Sequence, residues 1–176
     1  MHSTCCSFPH YTEHISGCVG YNSFIMKPGI RLYQPSDFDA VNILWRVARE
    51  VSLPDFQLRK GHHFYEDIAY FRNQILPNHQ IWVAADESGY ALAFMAIQAD
   101  FIDQLYVHPE HWRKGLGGQL LAQARLLSPQ HLWLYTLQIN LNARSFYEKQ
   151  GFKAVEFGIS PAPESEPDVK YAWEAA

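Results

Sequence analysis

Apolar residues follow two rhythms along this chain, and the switches between them outline its elements. Ile30 to Tyr33 predicts a short opening strand. Ser36, with Asp39 three residues on, makes a capping-box-like helix start. Phe38, Val41, Leu44, Trp45, Ala48 and Val51 then recur at three- and four-residue steps, one face of a helix that Pro54 should end. A second helix is predicted from about Phe64 to Leu76, with Ile68, Phe71 and Ile75 inward and Pro77 as its stop. Asp55 to His63 reads as a polar connection between the two.

The rhythm then shortens. Gln80 to Ala85 and Tyr90 to Gln98, split by Asp86-Glu-Ser-Gly89, predict an antiparallel hairpin, and Phe101 to Val107 a further strand. Leu116, Leu120, Leu121, Ala124 and Leu127 return to helical spacing before Ser128-Pro129. His131 to Gln138 predicts a strand, and Ala143 to Gln150 a helix closed by Gly151. Phe152 to Phe157 and Val169 to Trp173 predict the last two strands, with the proline-rich Ser160 to Pro167 as a loop. No internal repeat is present. This order predicts an α/β fold: a mixed, mostly antiparallel central sheet with helices on both faces.

Composition narrows the class. The chain has 176 residues, of which 48% are apolar and 15% aromatic, enough for one packed domain. A net charge of −4 lacks the basic excess that a nucleic-acid or membrane-surface protein needs, so neither partner is expected. The longest apolar run, Ala91 to Ile97, is strand-sized rather than membrane-spanning. Cys5, Cys6 and Cys18 all precede the first patterned stretch, which argues against a disulfide scaffold. His2, His10 and His14 lie near them, but the spacing fits no zinc pattern, and no metal is expected. Without a basic start or an apolar stretch the segment is not a signal peptide, and a cytoplasmic protein is expected. Residues 1–27 are expected to be a mobile tail whose removal costs little stability, with 28–176 a single domain.

Two motifs carry chemistry. The first runs strand, glycine turn, helix: Leu105-Tyr106-Val107, then Arg113-Lys114-Gly115-Leu116-Gly117-Gly118. Glycines there let successive amides point into one hollow, and the helix N-terminus adds partial positive charge, which suits a pyrophosphate. A tight turn with nothing bound is the plain alternative. The pattern is neither a Walker loop nor Gly-x-Gly-x-x-Gly. The second motif is Asn140-Leu-Asn-Ala143-Arg-Ser-Phe146-Tyr147-Glu148-Lys-Gln-Gly151-Phe152.

Together these resemble the GNAT superfamily of acetyltransferases. Its fourth strand ends in an apolar-x-Val-x-Pro pattern before Gln/Arg-x-x-Gly-x-Gly/Ala. Its fifth leads to Asn-x-x-Ala-x-x-(apolar)-Tyr-Glu-x-x-Gly-Phe. Both halves occur here in order, and the likeness covers about Ile30 to Trp173. One departure is Trp112, which stands where the pattern wants Gln or Arg; Arg113 or Lys114 can supply the charge from beside it. The resemblance implies a GNAT fold and acetyl transfer from acetyl-CoA to a primary amine by direct attack. No core cysteine is available for a covalent route. It implies that the backbone of Leu105, Tyr106 and Val107 pairs with the pantetheine arm. The turn Arg113, Lys114, Gly115, Leu116, Gly117 and Gly118 would hold the diphosphate, with Asn140 and Tyr147 also at the cofactor. An amide near Val107 would polarise the thioester carbonyl, and Tyr147 would protonate the leaving thiolate.

The base is less determined. Asp103 is a carboxylate inside an apolar run and is expected on the strand face of Leu105 and Val107, as base or as an anchor for a substrate ammonium. Tyr135 and His108 are further candidates. Tyr147 also reads as a core aromatic beside Phe146. By the resemblance, the acceptor is expected to be a small amine or a peptide amine, in a pocket walled by the first two helices and their link, where Trp45, Phe56, His62, His63, Tyr65 and Trp82 are available. A homodimer is compatible with the sequence. The competing functions are an acetyl-CoA-binding regulatory module without turnover and a nucleotide-phosphate binder of another fold.

Overall fold

The computed structural model describes residues 28–162 and 165–175. The expected tail, residues 1–27 with its three cysteines, therefore lies outside the described residues. The elements run β1 (Gly29–Leu32), α1 (Phe38–Ser52), α2 (Pro54–Lys60), α3 (Phe64–Tyr70), a π turn (Phe71–Ile75) and α4 (Leu76–Asn78). Then come β2 (Gln80–Ala85), β3 (Ala91–Gln98), β4 (Phe101–Val107) and α5 (Leu116–Leu127). The chain closes with β5 (His131–Leu137), α6 (Leu141–Lys149), β6 (Lys153–Ile159) and β7 (Pro167–Glu174). The seven strands form one sheet in the order β1-β2-β3-β4-β5-β7-β6. Every neighbouring pair is antiparallel except β4 and β5, which makes the sheet mixed, as expected.

Helices cover both faces. On one, Val41, Leu44 and Trp45 of α1 with Phe71 and Ile75 bury Val83, Phe94 and Ala96. On the other, Leu116, Leu120, Leu121 and Ala124 of α5 pack on Met95, Ile97, Ile102, Leu132 and Leu134, joined by Tyr147, Phe152 and Tyr171. Burying these side chains is the main term holding the sheet between its helices.

Three expectations fail in the helical region before β2. Helix α1 ends at Ser52, just before Pro54 as expected, but Pro54 also starts α2, because its fixed φ suits the first turn of a helix. The stretch from Asp55 to Lys60 is therefore helix, stopped by Gly61 at φ +64°. Pro77 likewise does not stop its helix but lies at the start of α4, which runs on to Asn78. Val51 is half-exposed rather than core, since α1 has turned its apolar stripe away by that point.

Ion pairs tie these helices down. Asp67, 4% exposed, receives Arg46 at 3.0 Å and Arg49 at 2.7 Å and so fixes α3 against α1. Asp37 receives both terminal nitrogens of Arg31, at 2.7 and 2.8 Å, and the Gln34 amide at 2.7 Å. Burial opposes ionisation of Asp37, but the bonds from Arg31 and Gln34 outweigh it and hold the carboxyl below its usual 3.8. A depressed carboxyl stabilises the fold above its unfolded-state pKa, and that stabilisation is lost as pH falls through the folded value. Asp37→Asn should therefore lower Tm at neutral pH and flatten the fall in Tm below about pH 4. A melting series with identical acid limbs in both proteins would remove Asp37 from that role.

Candidate functional site

The sheet opens in its middle. Strands β4 and β5 are parallel neighbours, yet they pair only at Phe101 and Trp133, near their starts. A shared anchor sits below the split: Asp100 receives Trp133 Nε1 at 3.0 Å and lies 3.0 Å from His131 Nδ1. Beyond it the strands diverge, and one edge of β4 faces a notch.

Main-chain directions follow from the register. The His108 amide donates to Leu92 on β3 at 2.9 Å. Alternation along a strand then turns the amides and carbonyls of Leu105 and Val107 to the opposite edge, toward the notch. The Val107 carbonyl bears this out, for it accepts Trp112 Nε1 at 2.7 Å. Trp112, the departure from the sequence pattern, is thus a donor bound to the strand end.

The turn after β4 leads into α5. Arg113 and Gly115 both take positive φ, +61° and +86°. Gly115 caps α5, and the first helical bond runs from the Gln119 amide to the Gly115 carbonyl at 3.0 Å. By helix geometry the amides of Leu116, Gly117 and Gly118 precede that ladder and need other partners. Arg113 and Lys114 are exposed beside them. A pyrophosphate fits such a donor set, with two cations and the helix dipole as complement.

The three glycines have separate reasons. Gly115 supplies the left-handed turn. Gly117 permits close packing, since a Cβ there would lie 2.9 Å from Cζ of Phe146. Gly118 is looser, with the Gln150 side chain 3.7 Å from where a Cβ would stand. Leu116 is core, 2% exposed.

Tyr147 stands on α6, which Asn140 caps by accepting the Ala143 amide at 3.1 Å. The structure gives the Asn140 oxygen this holding task, and through it a fixed place for Tyr147. Tyr147 is 7% exposed, with the rings of Phe146, Phe152 and Tyr171 at 5.2, 5.7 and 6.1 Å. Burial, and Tyr106 nearby, push its phenol well above its ordinary 10. The core reading and the site reading of Tyr147 are therefore compatible. Tyr106 looks the other way from its neighbours, stacked on Phe94 at 6.0 Å and edge-on to Trp45 at 6.4 Å.

Asp103 corrects an expectation. Ala96 pairs with Gln104, but Ile97 pairs with Ile102, so Asp103 is the extra residue of a β-bulge. The bulge breaks parity. Ile102, not Asp103, joins the layer of Leu105 and Val107, while Asp103 meets His79 at 3.2 Å. Burial lifts its carboxyl above the usual 3.8, against the opposing effects of His79 and a bond from Gln104.

The other candidates take these places. Tyr135 is half-exposed on β5, edge-on to Trp133. His108 caps the 3-10 turn Pro109–His111, its Nδ1 accepting the Glu110 amide at 3.4 Å. Trp45 and Trp82 pack in the apolar layers, Phe56 is buried on α2 under Lys60, and His63 stacks on Tyr65 at 5.4 Å at the surface.

Residues 77–154 match the Acetyltransferase (GNAT) domain, a span holding β4, the turn, α5 and α6. Over 128 residues the chain is 32% identical to peptidyl-lysine N-acetyltransferase YiaC of Escherichia coli, covering 72% of this chain and 84% of that protein. The chain belongs to the GNAT acetyltransferases. It is an acetyltransferase enzyme with the mixed sheet expected of that family. A shorter likeness, 31% identity over 81 residues, joins it to peptidyl-lysine N-acetyltransferase YjaB of Salmonella typhimurium, 46% of this chain and 55% of that one. The solution structure of apo-form YjaB from Escherichia coli superimposes with a TM-score of 0.73 at 22% identity, over 86% of this chain and all of that one. That likeness concerns the fold. Among the described residues no helix is long and apolar enough to cross a membrane.

Sequence reasoning missed His79. It lies 24 positions before Asp103 with no motif between them, so only the antiparallel return of the chain brings the two together.

Proposed function

We propose that this GNAT enzyme transfers the acetyl group of acetyl-CoA to the side-chain amine of lysine in a peptide or protein, by direct attack. The opening between β4 and β5 carries the reading. An extended arm with amide groups can complete the sheet there, against the notch-facing amides of Leu105 and Val107 and the Leu105 carbonyl. Arg113, Lys114 and the amides of Leu116, Gly117 and Gly118 suit the diphosphate end. The lysine acceptor is favoured by the relatives, which are named peptidyl-lysine N-acetyltransferases.

In this reading each residue has one task. The Val107 amide donates to the thioester oxygen as negative charge gathers on it. The amine nitrogen forms a bond to the carbonyl carbon and the carbon–sulfur bond breaks. Tyr147 gives its proton to the departing sulfur, and the second proton that the nitrogen sheds as the amide forms restores the phenol. With its pKa raised, the phenol is protonated throughout the working range, which suits an acid and not a base. Asp103 receives the proton lost by the attacking ammonium. The unit that does this is proposed to be the single domain from residue 28 to 176, and it needs no metal.

A thiol-release assay with acetyl-CoA tests it. Peptides with an internal lysine and a blocked N-terminus should release thiol and gain one acetyl group by mass spectrometry, faster than free amino acids or polyamines do. Tight acetyl-CoA binding with no thiol released by any amine would favour a regulatory binding module instead.

A further inference from the structure

His79 and Asp103 form a linked pair that no motif marks. His79 ends the helix before β2, with extended backbone at φ −127° and ψ 148°. Its main-chain amide donates to the Ile75 carbonyl at 3.1 Å, and its ring Nδ1 lies 3.1 Å from the same oxygen. A carbonyl only accepts, so Nδ1 carries the hydrogen whenever that bond is made. The remaining nitrogen, Nε2, then faces Asp103 Oδ2 at 3.2 Å. Its lone pair and the carboxylate are both acceptors, so one proton between them satisfies both.

The place of the pair is informative. The bulge turns Asp103 out of the α5 layer, two residues past the only β4–β5 pairing and about 7 Å along the strand from Leu105. Val107, where the thioester would lie, is about 13 Å from Asp103 along the strand, so a short chain of ordered waters would carry the proton. The His79 side chain is 9% exposed and that of Asp103 21%, so the open end of the pair is the aspartate.

Among the described residues, His79 is the charged group that acts on Asp103. On α1, Arg46 and Arg49 are bound to Asp67. On β5, His131 is bound to Asp100. Gln104, which bonds Asp103, is neutral. A solitary carboxylate is a weak base for an ammonium, whereas one backed by an imidazole can pass the proton on and regain its charge.

We infer that His79 is the positioning residue and proton store behind Asp103: Asp103 takes a proton from the acceptor ammonium and hands it to His79 Nε2. The step balances. An N–H bond of the ammonium breaks, an N–H bond forms on the imidazole, and the pair passes from one negative charge to none. The inference rests on the acetyl-transfer reading above.

Rate–pH profiles with acetyl-CoA and a lysine peptide test it on the whole protein. The wild-type acid limb should belong to the linked pair and not to a lone carboxylate. In His79→Gln that limb should move toward the carboxylate range, with kcat about tenfold lower or more and the peptide KM within about twofold. A His79→Gln enzyme that keeps both the limb and the plateau overturns the inference and leaves acetyl transfer standing. A wild type that acetylates no amine strikes the functional reading and this inference together. Should His79→Gln fail to fold, the 15N spectrum of the wild-type imidazole decides. A neutral ring protonated on Nδ1 is expected, and one protonated on Nε2 overturns the inference.

Discussion

Tyr147→Phe should slow turnover by about ten- to a hundredfold while acetyl-CoA binding stays within a few-fold of normal. The substitution removes one oxygen and leaves the ring. That ring carries the packing against Phe146, Phe152 and Tyr171, so the fold should survive the change. The loss therefore reports the phenolic proton. It should fall on kcat, because the sulfur gains negative charge only as its bond breaks. Two measurements decide it: steady-state kinetics on a lysine peptide, and calorimetric titration of acetyl-CoA. An unchanged kcat would take Tyr147 out of the chemistry and leave it a core aromatic.

Gly117→Ala should damage both stability and turnover. Its new Cβ would stand 2.9 Å from Cζ and 3.3 Å from Cε2 of Phe146, closer than side chains tolerate. Either the Phe146 ring moves or α5 separates from α6, at a cost of roughly 1–3 kcal/mol. Phe146 precedes Tyr147 on the same helix, so the displacement reaches the proposed acid as well. Gly118→Ala is the control, because its Cβ would meet only the Gln150 side chain at 3.7 Å. Thermal melts should show Gly117→Ala several degrees lower and Gly118→Ala close to wild type. Equal melting points in the two variants would mean that Phe146 yields freely.

Much of this architecture is written in local pattern. The strands around the hairpin and β4 follow from unbroken apolar runs bounded by turn residues, and α5 from its leucine spacing. Where the pattern misled, two readings competed for one residue. A proline stops a helix or starts one, and Pro54 starts one because Leu53 before it is already off helical backbone, at φ −144° and ψ 66°. The same holds in the site. Glycines 115, 117 and 118 look alike in the sequence, yet one serves a backbone angle, one a ring and one neither. The bulge at Asp103 is a matter of register between two strands, which a single strand's alternation cannot carry. Arg113 at a positive φ and the Trp112 indole on the Val107 carbonyl also lie beyond any spacing rule.

Because β4 and β5 part company after one pairing, the fold leaves a seam of unspent hydrogen-bonding capacity at its centre instead of at its rim. An occupant lying in that seam would stitch the two halves of the protein together, and its binding energy would add directly to resistance against unfolding. Heat tolerance in this enzyme should thus track how well it is supplied with the molecule it consumes.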